Sequence, residues 1–206
     1  MSPAIPRPHR FGLLVCACVL ASAAVAHAGP AQEAIIKTTI DAAFAVLKDK
    51  SLAGREKRPQ RIAALRAVAD RAFNWAEMAR SSLGPQWRSL DGQQRGRFVE
   101  VFKEVLAVRY MDDIDRFQGT ETVTVDGSVQ QEEDVVVRTT LVTGSRERVP
   151  IEYRMRDQEG SWMIVDIKIE GVSLVNHFRK TFASALANMT IDQLIERLKG
   201  QRPQHP

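Results

Sequence analysis

Few residues of this chain have the types and spacing to do chemistry. Ser173 and His177 stand one helical turn apart, with Asp166 seven residues upstream. Hydroxyl, imidazole and carboxylate are the parts of an acyl-transfer triad, which needs the serine proton within reach of the imidazole and a separate oxyanion hole. The flanking residues point elsewhere. Gly171-Val172-Ser173 reads as a strand-to-helix turn with Ser173 as the N-cap, a role its hydroxyl fills without catalysis, and no G-x-S-x-G elbow is present. Asp112-Asp113-Asp115 could attract a hard cation, but reads as a solvated helix end, as Glu132-Glu133-Asp134 reads as a solvated turn. Past residue 28 there is no cysteine, and the only histidines are His177 and His205, which leaves too few ligands for a metal site. No enzyme, no metal and no cofactor is therefore the expectation, with a lipid-active enzyme as an alternative.

Arg55, Lys57, Arg58 and Arg61 form a basic loop, with Trp75 and Trp87 near in sequence. Basic residues interleaved with aromatics can bind nucleic acid. Here the total charge is only +4, and the loop reads as solvated surface or as a dock for an acidic partner. No nucleic-acid partner is expected.

The first 28 residues read as a secretory signal peptide. Arg7 and Arg10 precede the apolar run Phe11 to Ala26, and Ala26-His27-Ala28 supplies a small-x-small cleavage pattern. The run has 16 residues, short of the roughly 20 that a spanning helix needs. Cleavage would remove Cys16 and Cys18, lower the formal charge from +4 to +2, and place the product in a bacterial periplasm. With 44% hydrophobic and 26% charged residues, the chain has globular composition. A single domain is expected over 29–200, with a frayed tail at 201–206.

The elements that must position these residues follow from periodicity. Ile36, Ile40, Phe44 and Leu47 mark an amphipathic helix over about 31–50. Pro59 opens a second, with Ile62, Leu65 and Ala69 on one face. Asn74 with Glu77 has capping-box spacing, Phe73 with Met78 has staple spacing, and Gly84-Pro85 stops that helix. Asp91 with Gln94 opens the longest helix, to about Phe117, with Phe98, Phe102, Val105 and Leu106 on its face. Between 120 and 170 the period changes to 2. Val123 and Val125 lead to a turn at Asp126-Gly127, and Val135, Val137 and Leu141 follow. Ile151, Tyr153 and Met155 form the next run, and Trp162 to Ile169 the last, with Trp162 and Ile164 on one face and Met163, Val165, Ile167 and Ile169 on the other. Val172, Val175, Phe178 and Phe182 form a helical stripe, and Thr190 with Gln193 caps a final helix ending at Gly200. The fold class is α+β, a four-stranded antiparallel meander with helices packed on it.

Residues 162–175 carry a recognisable pattern. Trp162, Asp166, Glu170, Gly171, Val172 and Ser173 stand as W-x-x-x-D-x-x-x-E-G-V-S, which resembles a segment of the MlaC, or toluene-tolerance, family. Phe73, Met78, Ala79, Leu83 and Gly84 followed by Trp87 are similar to a second family stretch, and Gln94, Arg95, Phe98 and Phe102 to a third. The resemblance spans about 33–199. It implies a periplasmic phospholipid carrier that shuttles lipid between an outer-membrane lipoprotein complex and an inner-membrane ABC transporter, in the service of outer-membrane lipid asymmetry. It also implies a twisted sheet with helices around an apolar pocket for the acyl chains, and no catalytic residues. The run Val175 to Phe182 is similar to members associated with hopanoid synthesis, so a hopanoid or other polycyclic lipid is the alternative cargo.

Inward-facing residues of both layers are the expected pocket lining. They are Phe98, Phe102 and Leu106 from the long helix, with Val135, Val137, Ile151, Tyr153, Trp162 and Ile164 from the sheet and Val172, Val175 and Phe178 from the tail. The same residue types fill a plain core. A lipid-active enzyme and an exported adaptor without cargo therefore stay open from the residues alone.

Overall fold

Prolines in first turns and short polar caps account for the helix starts. In the computed structural model, which describes residues 29–109, 117 and 119–200, α1 runs Pro30–Lys48 and α2 Arg58–Ala72. Each has a proline in its first turn, where a missing N–H costs nothing. Helix α3 spans Trp75–Leu83, α4 Gly92–Arg109, α5 Leu174–Leu186 and α6 Ile191–Gly200. The expected signal peptide, the tail 201–206, the cluster at 112–115 and the expected end of the long helix lie outside the described residues, apart from Phe117.

Two capping boxes form reciprocally. The Gln94 amide donates to the Asp91 side chain at 2.7 Å and the Asp91 amide to the Gln94 side chain at 3.2 Å. In the second box the Gln193 amide donates to the Thr190 side chain at 3.3 Å and the Thr190 amide to the Gln193 side chain at 2.8 Å. The box expected at Asn74 is half made. Asn74 accepts from the Glu77 amide at 3.0 Å, but its own N–H donates to the Ile164 carbonyl, and Glu77 pairs instead with Arg80 at 2.6 Å. The chain at Phe73 thereby joins the edge of the sheet in a parallel bridge to Ile164.

The sheet has five strands rather than the expected four, in the order β1-β2-β3-β4-β5. They are β1 Thr122–Gln131, β2 Asp134–Val142, β3 Arg148–Gln158, β4 Ser161–Ile169 and β5 Val172–Ser173. The short β5 exists because Glu170 and Gly171 both adopt left-handed backbone, φ 48° and 83°, and fold Val172 and Ser173 back onto Ile169 and Lys168.

Two bulges alter the expected pattern. The turn expected at Asp126-Gly127 is a register shift inside β1, between Val125 and Gly127, and the chain reverses at Glu132-Glu133 instead. In β4, Met155 faces Ile164 and Arg154 faces Asp166, so Val165 is the extra residue. The alternation restarts after it. Ile167 and Ile169 therefore share the face of Trp162 and Ile164, not that of Met163.

Two cores result. Under α1 and α2, Ile36 and Ala72 pack on Val135, Val137, Met155 and Ile164. Beyond the β4 edge, α3 to α6 enclose Phe98, Phe102, Phe178 and Phe182, whose rings meet at centroid distances of 5.4 to 6.3 Å. Phe73 touches both cores. Asp134 is not the solvated turn residue expected. It is 5% exposed and accepts two hydrogen bonds from Arg156, at 2.6 and 2.8 Å, and these hold the guanidinium charged above its ordinary pKa. Among the described residues, no helix is long and apolar enough to cross a membrane.

Candidate functional site

Where the two cores meet, the molecule leaves a gap. An apolar cleft of about 350 Å³ lies between α2 and α4. Ile62, Leu65 and Ala69, the apolar face of α2, form one wall, and Leu106 and Ala107 of α4 form another. Ile167, turned inward by the β4 bulge, and Leu174 contribute from β4 and α5. Phe73 and Trp75, stacked at 4.9 Å, complete the lining.

Charge surrounds this apolar interior. Arg66 on α2 pairs with Glu104 on α4 at 2.6 Å. Lys103 on α4 lies 3.5 Å from Asp70 on α2 and 3.4 Å from Glu100. The Trp75 indole donates to Asp70 at 2.7 Å. All five charged residues are partly exposed and line the same cleft. Side-chain ion pairs thus bridge α2 and α4 where apolar packing is missing. Exposed pairs of this kind are worth under about 1 kcal/mol each.

Of the residues expected to line a pocket, Leu106 is the one at this cleft. Phe98, Phe102 and Val175 are fully enclosed in the helical core. Phe178 is buried there too, and borders a second groove of about 470 Å³ between α5 and α6. Val135, Val137 and Ile164 lie in the core beneath α1, with Tyr153 and Trp162 packed against it. Burial pushes the Tyr153 phenol up to about 12, against a smaller opposing effect of its hydrogen bond with Thr139. Ile151 is half-buried opposite Thr139 and Ile169. Val172 is 61% exposed, because the two-residue β5 holds it at the sheet edge rather than in the tail helix's buried stripe. Sequence reasoning overlooked the α2 wall as a binding surface, although it marked Ile62, Leu65 and Ala69 as one face.

The triad candidates meet without forming a triad. The Ser173 hydroxyl donates to Asp166 at 2.6 Å and accepts from the Asn176 amide at 3.1 Å, which makes it the N-cap of α5. The other Asp166 oxygen accepts from the Val175 amide at 3.0 Å. The serine proton therefore goes to a carboxylate, while His177 is exposed, its ring edge-on to Phe178. Asp166, Ser173 and His177 border a polar groove of about 570 Å³ on the other face of the sheet, with Arg154, Lys168 and Lys180. Of the residues expected in a basic loop, Arg58 and Arg61 lie instead in the first turn of α2, where Arg61 donates to the Leu52 carbonyl at 2.9 Å and ties the preceding loop down. Among the described residues, no group of three histidines, cysteines or carboxylates could hold a metal ion.

A family model described as MlaC protein matches residues 37–200. Among solved structures, the fold is similar to that of a phospholipid-binding protein from Ralstonia solanacearum, determined in complex with a phospholipid. That match has a TM-score of 0.72 at 23% sequence identity and covers 84% of this chain and 97% of the other.

Proposed function

This chain belongs to the MlaC family, and from that premise we propose that it carries phospholipid, taking acyl chain into the apolar cleft between α2 and α4. The observation that carries the reading is a cleft with an apolar interior and a charged rim, placed between two closed cores. The phospholipid bound to the Ralstonia solanacearum protein supports the same cargo. In this reading residues 1–28 direct export. The carrier then moves lipid through the periplasm between an outer-membrane lipoprotein complex and an inner-membrane ABC transporter.

The energetics favour such a carrier. A diacyl lipid has roughly 30 methylenes at about 0.8 kcal/mol each, so unaided passage through water faces a barrier above about 20 kcal/mol. A cleft as apolar as the bilayer removes most of that cost, so transfer needs no nucleotide or cofactor on the carrier, and direction comes from its partners. At ~30 Å³ per water-sized group, a cleft of about 350 Å³ takes on the order of a dozen methylenes. Full loading therefore requires α2 to move away from α4, which breaks the Arg66–Glu104 and Asp70–Lys103 pairs.

Mass spectrometry of the gently purified, exported protein tests this. The expected result is phospholipid in stoichiometric amount on a chain beginning Gly29-Pro30-Ala31. A polycyclic lipid instead would change the cargo to a hopanoid-like one. A protein that never takes up lipid would be an adaptor without cargo.

A further inference from the structure

We propose that the segment joining α1 to α2 is a contact surface for anionic bilayers, holding the chain loosely at a membrane by charge. The inference goes beyond the cargo, and rests on the carrier reading only for the use such a contact would have. Residues 48–61 hold six cations, Lys48, Lys50, Arg55, Lys57, Arg58 and Arg61, against Asp49 and Glu56, for a net charge of +4. The chain has 29 basic and 25 acidic residues in all, so setting aside these six and two leaves 23 of each. The whole positive excess of the sequence therefore sits where α1 passes into α2. A cluster of roughly four to eight basic residues is the size that an anionic membrane surface attracts, each cation strengthening the contact about fivefold.

The backbone of this segment is tied down while its charges are not. Lys50–Leu52 form a single 3-10 turn that Asp49 caps, its carboxylate accepting from the Ser51 amide at 2.8 Å. Arg61 donates to the Leu52 and Gly54 carbonyls at 2.9 and 3.4 Å. By contrast Lys50, Arg55 and Lys57 are exposed, and their side chains make no hydrogen bond or ion pair with any described residue. Lys48 is exposed as well, its ammonium 5.5 Å from the centre of the Phe44 ring. A protein partner is recognised by charges set in a fixed complementary pattern. Side chains free to turn suit the diffuse field of many lipid phosphates, which requires no single partner. The segment also adjoins the cleft, since Ile62, the residue after Arg61, is the first of α2 to line it.

The test is flotation of the full exported chain with vesicles of phosphatidylcholine alone and of phosphatidylcholine mixed with phosphatidylglycerol. The expected result is binding to the anionic vesicles only, weakening steeply as added salt shortens the reach of the charges. Arg55→Glu with Lys57→Glu should weaken that binding at least about tenfold. Arg138→Glu with Arg148→Glu changes the total charge equally, at exposed positions on the sheet, and should leave most of the binding in place. Arg55→Gln with Lys57→Gln, a milder pair, should show a smaller loss if the reversed pair does not fold. No flotation, equal flotation with neutral vesicles, or equal losses from the loop pair and the sheet pair would overturn the bilayer contact. So would a chain that ignores vesicles but is retained by an acidic protein surface. Phospholipid carried per chain, read by mass spectrometry on the same samples, judges the carrier reading separately.

Discussion

The Ser173 hydroxyl donates to Asp166 and accepts from the Asn176 amide, the bonds of a helix cap, with the imidazole of His177 not among its partners. Ser173→Ala should lower stability by about 1–2 kcal/mol, the worth of a cap plus a bond to a buried carboxylate. Lipid carriage should survive. Calorimetry and the lipid content of the purified variant check both halves, and loss of an acyl-ester hydrolase activity on this substitution would restore the enzyme reading. Tyr153 offers a second residue-scale prediction, from its raised pKa. Below the ordinary tyrosine value of 10 the phenol is neutral in both folded and unfolded chains, and its contribution is fully present. Between pH 10 and about 12 the unfolded chain ionises while the buried phenol does not, so stability falls as pH rises through that window. The loss should be on the order of 2–3 kcal/mol. Urea unfolding at successive pH values should show it in the wild type and show a flatter curve for Tyr153→Phe.

At the scale of elements, what could be read from sequence was what local chemistry dictates. Asp91 with Gln94 and Thr190 with Gln193 form the caps their spacing implies, because each bond closes within four residues. Asn74 shows the limit: its amide is taken by Ile164, 90 positions away, which no local rule anticipates. The bulges are illegible for the same reason. Nothing in Met163-Ile164-Val165-Asp166 says that Val165 is the residue left over, since that is fixed by the pairing of Arg154 with Asp166 across the sheet. One unanticipated bulge then puts Ile167 on the helix-covered face, where it lines the cleft. The W-x-x-x-D-x-x-x-E-G-V-S pattern proves to be architecture. Glu170 and Gly171 make the left-handed turn, and Asp166 and Ser173 together seat the start of α5. The cleft itself was hidden by kinship of composition. Ile62, Leu65 and Ala69 have the types and spacing of a core face, and Arg66 and Asp70 those of a solvated one.

For the whole molecule, the arrangement separates two packed cores from one open seam. The phenylalanine cluster and the core beneath α1 are filled, whereas the seam between α2 and α4 is apolar but open. Substitutions in the two regions should therefore behave oppositely. Phe102, fully buried and in ring contact with Phe98, Phe178 and Phe182, should cost about 3–5 kcal/mol on truncation to alanine. Val137→Trp should overpack the core under α1 by about 1–3 kcal/mol or more. Ala69→Trp places a larger ring at the cleft wall, where there is room for it, so the melting temperature should change little while bound lipid falls. Melting temperature and lipid per chain, measured on all three variants, decide between this division and a single continuous core. If Ala69→Trp melts as early as Val137→Trp, the seam is packed and cannot hold an acyl chain. If Ala69→Trp keeps both its melting temperature and its lipid, the cargo sits elsewhere, and the groove between α5 and α6 beside Phe178 becomes the place to look.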